Sequence, residues 1–217
     1  MPASCCGVTV PGWTGSLARG LPQAAEPVLP RAVAYRRGTR GEIGTAQMEC
    51  VERLTGSAEE TFEVARQLGE SLSGGEVFAL VGDLGSGKTT FTRGLVCGAG
   101  CADYARVNSP TYVLEQVYQG RVPIRHYDAY RLGSPCELDE LGFQEALSSR
   151  AVLVVEWADR VESLLPADRL LLELSFAGVE REGEGPGDGR LLRFSSSSDA
   201  WAGRLASLGG ACADNEQ

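Results

Sequence analysis

The sequence predicts an α/β protein with a mostly parallel central sheet, flanking helices and an antiparallel C-terminal hairpin. A glycine-rich segment at 82–89 directly follows a short apolar run of strand length at 76–81. The most apolar run of the chain, 151–155, has the composition of a strand that is buried on both faces of a parallel sheet. Two further strand-like runs, 169–176 and 190–195, flank a glycine-rich acidic loop and predict the hairpin.

Local patterns predict the other elements in chain order. An edge strand is expected at 49–54, and Ser57 with Glu60 has the capping-box spacing that begins a helix. A second helix is expected at 89–97, directly after the glycine-rich segment. Later in the chain we expect strands at 112–118 and 122–127, one acidic amphipathic helix at 137–147 and a short helix at 201–208.

The composition is that of an ordinary globular protein. The 217 residues are 43% hydrophobic and 23% charged, which is enough for one domain with a full core. No run approaches the roughly 18 to 20 apolar residues that cross a bilayer, and no charged-then-apolar leader begins the sequence. We therefore expect a cytoplasmic protein.

Seven cysteines without C-x-x-C spacing, beside the single histidine His126, indicate reduced thiols and no zinc site.

The net charge of −9 is unevenly distributed along the chain. Five arginines against two glutamates give residues 1–47 a charge of +3, and the remainder carries 15 basic against 27 acidic side chains, or −12. The acidic part of the chain after residue 47 would be repelled by a polyanion. A protein partner is therefore favoured over independent binding of tRNA or DNA.

Residues 1–47 contain five prolines and scattered glycines without a sustained apolar period, so a disordered extension is expected there. Three explanations stay open: a start codon placed too early, with Met48 as the true first residue, an organelle transit segment, or a real tail. The early start is preferred because serines are fewer than a transit segment usually has. The globular domain is then 48–217.

The segment 82–89 has the G-x-x-x-x-G-K-T spacing of a phosphate-binding loop, which indicates a P-loop NTPase-like protein. Glycines let successive backbone N–H groups turn toward phosphates, and the N-terminus of the next helix faces the same negative charge. Lys88 is the only lysine beside nineteen arginines, which indicates a need for a compact ammonium over the β and γ phosphates. The nucleotide-binding residues predicted here are Gly82, Asp83, Leu84, Gly85, Ser86, Gly87, Lys88, Thr89 and Thr90.

Two acids are candidates for holding magnesium and orienting an attacking water, as such enzymes require. Glu156 follows the buried run 151–155, at the sheet edge where open α/β folds bind ligands. Asp128 follows a less apolar strand, where a turn aspartate is common. Thr89 would place its hydroxyl on the same magnesium. The sequence alone does not decide which of the two acids is the metal ligand and which positions the water.

Four other polar residues have weaker signals. Thr111 lies where many such proteins keep a switch threonine, although a plain proline turn is the commoner occupant. On spacing alone, His126 is more often a packed or solvent-facing residue than a catalytic one. Arg125 and Arg131 could screen phosphate, but solvated surface arginines are the usual case.

Five blocks of the sequence, in order and spacing, resemble the TsaE family, also called YjeE. These proteins are the bacterial ATPases of tRNA N6-threonylcarbamoyladenosine biosynthesis. The blocks are Gly-Asp-Leu-Gly-Ser-Gly-Lys-Thr-Thr-Phe-Thr-Arg-Gly-Leu (82–95), Ser-Pro-Thr-Tyr (109–112), His-Tyr-Asp-Ala-Tyr-Arg-Leu (126–132), Glu-Leu-Gly-Phe (140–143) and Val-Glu-Trp-Ala-Asp-Arg (155–160). The resemblance covers roughly residues 50–195 and does not reach residues 1–47.

The resemblance implies a small magnesium-dependent ATPase that is slow alone and binds TsaB and TsaD. Through that complex it would serve the modification of adenosine 37 in tRNAs that read codons beginning with A. The composition and charge separately predict no contact with membrane or DNA. As a mechanism, we expect Glu156 and Lys88 to be catalytic, and Thr89, Asp128 and Glu156 to hold the metal. Thr111 would belong to a switch-like loop, and Trp157 would lie by the nucleotide.

Two alternatives stay open beside this interpretation. One is a small-molecule kinase on a P-loop scaffold, which usually has an arginine-rich lid, whereas residues 133–150 are acidic. The other is a nucleotide-gated binding module with negligible turnover. A regulatory GTPase is disfavoured, because the guanine-reading N-K-x-D element needs a second lysine and the chain has none.

Overall fold

The computed structural model describes residues 49–180 and 186–208. The disordered extension or early start expected for 1–47 lies outside these residues. The strands are β1 (Glu49–Thr55), β2 (Val77–Val81), β3 (Glu115–Tyr118), β4 (Ile124–Asp128), β5 (Val152–Glu156), β6 (Leu170–Phe176), β7 (Val179–Glu180), β8 (Pro186–Gly187) and β9 (Arg190–Ser196). The helices are α1 (Ala58–Glu70), α2 (Lys88–Gly98), α3 (Pro135–Glu140), α4 (Phe143–Leu147) and α5 (Asp199–Leu208), with 3-10 segments at Tyr104–Arg106 and Ala158–Leu164.

Seven strands form one sheet in the order β1-β9-β6-β2-β5-β4-β3. The four central strands, β6, β2, β5 and β4, are parallel neighbours. Antiparallel pairs flank them on both sides, so three of the six pairings are parallel and the sheet is mixed. The predicted α/β fold is confirmed, including the antiparallel pairing of β6 with β9. Strands β7 and β8 form a separate two-stranded ribbon.

Helices cover both faces of the sheet, which explains the composition of its central strands. Apolar side chains of α1, α2 and α5 form one core cluster against the sheet, and those of α3, α4 and the segment Ala158–Leu164 form a second cluster on the opposite face. Strand β5 is buried at every position because it lies between two parallel neighbours and two helical layers. Its run of valine and leucine therefore has no solvent-facing side.

Local chemistry confirms the predicted start of α1. Ser57 is the N-cap, its hydroxyl accepts a hydrogen bond from the backbone N–H of Glu60 at 3.2 Å, and the Glu60 carboxylate accepts one from the N–H of Gly56 at 2.7 Å. The first bond satisfies a donor that the first helical turn leaves unpaired, and the second ties the residue before the N-cap to the same turn. None of the helices in the described ranges is long and apolar enough to cross a membrane.

Two element boundaries were predicted wrongly. The single helix expected at 137–147 is two short helices, because Gly142 has a left-handed backbone, φ +77°, that ends α3 and begins α4. The strand expected at 112–118 begins only at Glu115. Ahead of it, the N–H groups of Val113 and Leu114 both donate to the carbonyl of Pro110, and Leu114 has φ +64°. These residues form a tight turn instead of extended chain.

Candidate functional site

The loop between β2 and α2 has the backbone that its glycines predict. Gly82, Gly85 and Gly87 have φ values of +145°, +79° and +107°. Steric contact also requires glycine at position 82, since a Cβ there would lie 2.2 Å from the carbonyl oxygen of Leu174 on β6. The loop therefore passes against the neighbouring strand at a distance that only glycine permits.

Several backbone donors of this loop have no acceptor among the described residues. Within the described ranges, the N–H groups of Gly85, Gly87, Lys88 and Thr89 donate to no carbonyl or side chain. They belong to the loop and to the first turn of α2, where the helix dipole favours negative charge. An anion such as phosphate suits this arrangement of donors.

Lys88 is the first residue of α2, where the loop ends, and is 4% exposed. Its Nζ donates to the carbonyl oxygens of Gly82 at 2.5 Å and Asp83 at 2.8 Å, and lies 3.9 Å from the centroid of the Trp157 ring. Burial lowers the pKa of the Lys88 ammonium below its usual value, and the carboxylate of Glu156 acts in the opposite direction. The ring and the carbonyls thus hold a compact cation beside the free N–H groups.

Asp128 and Glu156 lie side by side, because β4 and β5 are parallel and these two residues are partners in the register. Each is 2% exposed. Glu156 Oε2 accepts from the Thr89 hydroxyl at 3.0 Å, which joins the carboxylate to the first turn of α2. Glu156 Oε1 lies 2.9 Å from His126 Nε2 and accepts a longer bond, 3.4 Å, from the Thr92 hydroxyl.

The segment before β3 is tied to the other acid. Asp128 Oδ2 accepts hydrogen bonds from the hydroxyl of Ser109 and, at 2.7 Å, from that of Thr111, while Oδ1 accepts from the backbone N–H of Tyr130 at 2.8 Å. The two hydroxyls also lie 2.8 Å from each other. Thr111 is therefore part of a cluster that holds Asp128.

These groups line one cavity of about 430 Å³, a size typical of small-molecule sites. Ten of the predicted residues line it: Leu84, Gly85, Gly87, Lys88, Thr89, Thr90, Thr111, Asp128, Glu156 and Trp157. Gly82, Asp83 and Ser86 do not line it. Two of them instead supply the carbonyls that hold Lys88, and Ser86 is buried. The predicted site residues thus converge on a single place in the fold.

Sequence reasoning missed several residues of the site. Tyr112, Tyr130 and Arg131 line the cavity, with the Arg131 guanidinium 4.3 Å from the Tyr112 ring centroid and the Tyr130 ring 4.9 Å from that of Trp157. For Arg131 the sequence favours a solvated arginine over one that screens phosphate. For His126 it favours a packed or solvent-facing residue over a catalytic one. Their signal in the sequence is that all four residues lie in the blocks 109–112 and 126–132.

The donor chemistry at the cavity fits magnesium. Thr89, Asp128 and Glu156 present a hydroxyl and two carboxylates, the hard oxygen ligands that Mg²⁺ prefers together with waters and substrate phosphates. No group of three or more His, Cys, Asp or Glu side chains suited to a metal ion occurs among the described residues. Thr89, Asp128 and Glu156 would supply part of a magnesium shell, and waters and phosphates would supply the rest.

A phosphate loop between a buried strand and a helix, with two carboxylates at the ends of adjacent parallel strands, defines a P-loop NTPase-like protein. The family model described as "Threonylcarbamoyl adenosine biosynthesis protein TsaE" matches residues 55–183. The chain belongs to this family, so its predicted membership and its role in tRNA threonylcarbamoyladenosine biosynthesis are confirmed.

Individual relatives support the same assignment. The tRNA threonylcarbamoyladenosine biosynthesis protein TsaE of Treponema pallidum is 39% identical over 127 residues, which cover 58% of this chain and 90% of the relative. The Bacillus subtilis protein of the same name is 39% identical over 137 residues, covering 62% of this chain and 84% of the relative. A crystal structure of Bacillus subtilis YdiB aligns with a TM-score of 0.58 and 28% identity, over 75% of this chain and 95% of that one.

Proposed function

We propose that this chain binds ATP with Mg²⁺ in the cavity of the phosphate loop and hydrolyses it slowly. In the cytoplasm, this turnover would serve the modification of adenosine 37 in tRNA together with TsaB and TsaD. The observation that carries the proposal is the convergence of Lys88, Asp128 and Glu156 on the unpaired N–H groups at the start of α2. A cation, an anion cradle and two acids together suit phosphoryl transfer to water.

Each side chain has a part that follows from its position. The N–H groups of the loop and the ammonium of Lys88 would hold the phosphates, and the Thr89 hydroxyl would be a magnesium ligand. Bound Mg²⁺ would offset charge on the β and γ phosphates. Trp157 supports the Lys88 ammonium with its ring face, so it would lie by the nucleotide.

The two acids differ in which segments hold them. Asp128 accepts from the hydroxyls of Ser109 and Thr111 and from the N–H of Tyr130, which suits a fixed carboxylate on the metal side. Glu156 Oε2 accepts only from the Thr89 hydroxyl, in the first turn of α2, among the described residues, so it has capacity left for another hydrogen bond. We assign Glu156 to orient the attacking water and Asp128 to the metal.

Calorimetry with Mg²⁺ and ATP, together with an assay of free phosphate, tests this proposal. Lys88→Ala should weaken ATP binding by about 10- to 150-fold, since hydrogen bonds to charged groups contribute about 1.5–3 kcal/mol. Glu156→Gln should keep ATP binding and lower phosphate release by about 10²- to 10⁴-fold. The exposed Glu140→Gln is the matched control. If Glu156→Gln loses ATP binding and phosphate release to the same extent, the role assigned to Glu156 is wrong.

Addition of purified TsaB and TsaD tests the cellular part of the proposal. Phosphate release should rise when both are present, and EDTA should abolish it. Rapid ATP hydrolysis at a rate that neither partner changes would contradict the role in the complex. Transfer of label from ATP to a small acceptor would indicate the kinase alternative. ATP binding without any ADP over hours would indicate a gated binding module.

A further inference from the structure

The only histidine of the chain lies directly behind the proposed catalytic acid. His126 is on β4, is 0% exposed, and shares the sheet face of Asp128, two residues further on. Its Nε2 is 2.9 Å from Glu156 Oε1, on the neighbouring strand. The Tyr118 ring lies beside the imidazole, with centroids 6.3 Å apart. His126 does not line the cavity, so any effect on the reaction must pass through Glu156.

The surroundings of the imidazole decide which nitrogen carries the hydrogen. His126 Nδ1 is buried and has no hydrogen-bond partner within the described part of the chain. A hydrogen on Nδ1 would therefore be a buried donor without an acceptor, which is costly. Nε2 has a carboxylate within hydrogen-bond distance. Because an ionised carboxylate only accepts, the hydrogen on Nε2 donates to Glu156 Oε1.

This bond is the shortest that Glu156 receives. Oε1 accepts from His126 at 2.9 Å and from Thr92 at 3.4 Å, while Oε2 accepts from Thr89 at 3.0 Å. With Oε1 anchored at the back, rotation of the carboxylate is restrained and Oε2 stays directed to the cavity. A partner behind a reacting group commonly sets that group's orientation in this way.

We propose that His126 is a positioning residue for hydrolysis: its imidazole donates from Nε2 to Glu156 Oε1 and keeps Oε2 directed to the site of the attacking water. This inference rests on the proposed ATPase function. It assigns to the only histidine a part in turnover and none in nucleotide binding. Its removal should therefore lower kcat and leave the affinity for ATP unchanged.

Nitrogen NMR of the chain without a histidine tag tests the geometry without any nucleotide. Because the sequence has one histidine, the ring signals need no assignment among several. We expect Nε2 to carry a hydrogen. Glu156→Gln should move the Nε2 signal, and the exposed Glu140→Gln should not. A bare Nε2 with the hydrogen on Nδ1, or an Nε2 signal that Glu156→Gln leaves in place, would overturn the proposal.

Kinetic variants test the consequence for turnover. His126→Phe removes the donor and should lower kcat by about 10- to 100-fold while the Kd for ATP stays constant. His126→Gln places an amide donor near the position of Nε2 and should restore most of kcat. Tyr118→Phe, a change in the same part of the core, is the control for altered packing. If His126 had only a structural role, both variants would have a lower melting temperature, and the kcat of His126→Phe would not fall below that of His126→Gln.

The outcomes separate the two proposals. Wild-type protein that binds no ATP would refute the ATPase function and leave the NMR result standing. Wild-type turnover with an unchanged kcat in His126→Phe would refute only the positioning role. If His126→Phe does not fold, the nitrogen NMR result and the kcat of a folded His126→Gln decide the proposal. A large loss of kcat in a folded His126→Gln contradicts it.

Discussion

Gly82 offers the sharpest test of why the phosphate loop takes its shape. In Gly82→Ala the new Cβ would lie 2.2 Å from the carbonyl oxygen of Leu174 and 2.9 Å from the hydroxyl of Ser86. The first contact is with backbone of β6, which cannot rotate away as a side chain can. Gly75→Ala is the matched control, because Gly75 also has a positive φ, +96°, but no atom of the described residues beyond its chain neighbours lies within 4 Å of its added Cβ.

The expected magnitudes follow from these two differences. Both substitutions place a side chain on an unfavourable backbone, at a cost of about 1–3 kcal/mol. Gly82→Ala adds overpacking against a fixed carbonyl, about 1–3 kcal/mol more. We therefore expect it to lose about twice the unfolding free energy that Gly75→Ala loses. For a domain of this size, each 1 kcal/mol lowers Tm by about 2–4 °C.

Function should separate the variants further. The Gly82 carbonyl accepts from Lys88 Nζ, so displacement of the loop moves the ammonium as well. Urea denaturation measures the stability, and calorimetry with ATP and Mg²⁺ measures the site. Gly82→Ala should weaken ATP binding, whereas Gly75→Ala should leave it unchanged. Equal losses of stability in both variants would show that backbone strain, and not the contact with Leu174, decides the requirement for glycine.

Two further predictions concern the support of the site. Leu153→Ala in β5 removes a fully buried side chain and should lower the unfolding free energy by about 2–5 kcal/mol, measured by urea denaturation. A loss below about 1 kcal/mol would contradict the close packing of β5 between two helical layers. Arg190 donates to the carbonyls of Ser86 and Gly85 from outside the loop, at 3.2 and 3.3 Å. Arg190→Met should weaken ATP binding by about fivefold, the equivalent of about 1 kcal/mol, and unchanged affinity in calorimetry would show that the loop holds its shape alone.

The elements that sequence predicted well are those with local causes. The cap at Ser57, the glycines of the loop and the apolar run of β5 act within one turn or one strand, so their patterns are visible in a few residues. The break at Gly142 was missed, because an acidic amphipathic period ran across it. A glycine can continue a helix or end it. The packing of α3 and α4 on the sheet, which no local pattern reveals, determines the outcome.

The site could be predicted in its parts but not in its connections. The sequence identifies the phosphate loop, Asp128 and Glu156 as candidates. The bond between His126 and Glu156 joins residues 30 positions apart, and that between Thr89 and Glu156 joins residues 67 positions apart. Such contacts depend on which strands are neighbours and in what register, and no pattern within a single strand contains that information.

The sequence alone determined that the chain has a phosphate loop between a strand and a helix, that one buried strand ends in an acid, and that its fold is α/β. The tertiary structure decided that β5 lies between β2 and β4, which aligns Asp128 with Glu156 and brings both to the first turn of α2. The reason is physical. Local propensities act over a few residues, whereas strand order is chosen by burial of whole apolar faces on both sides of the sheet.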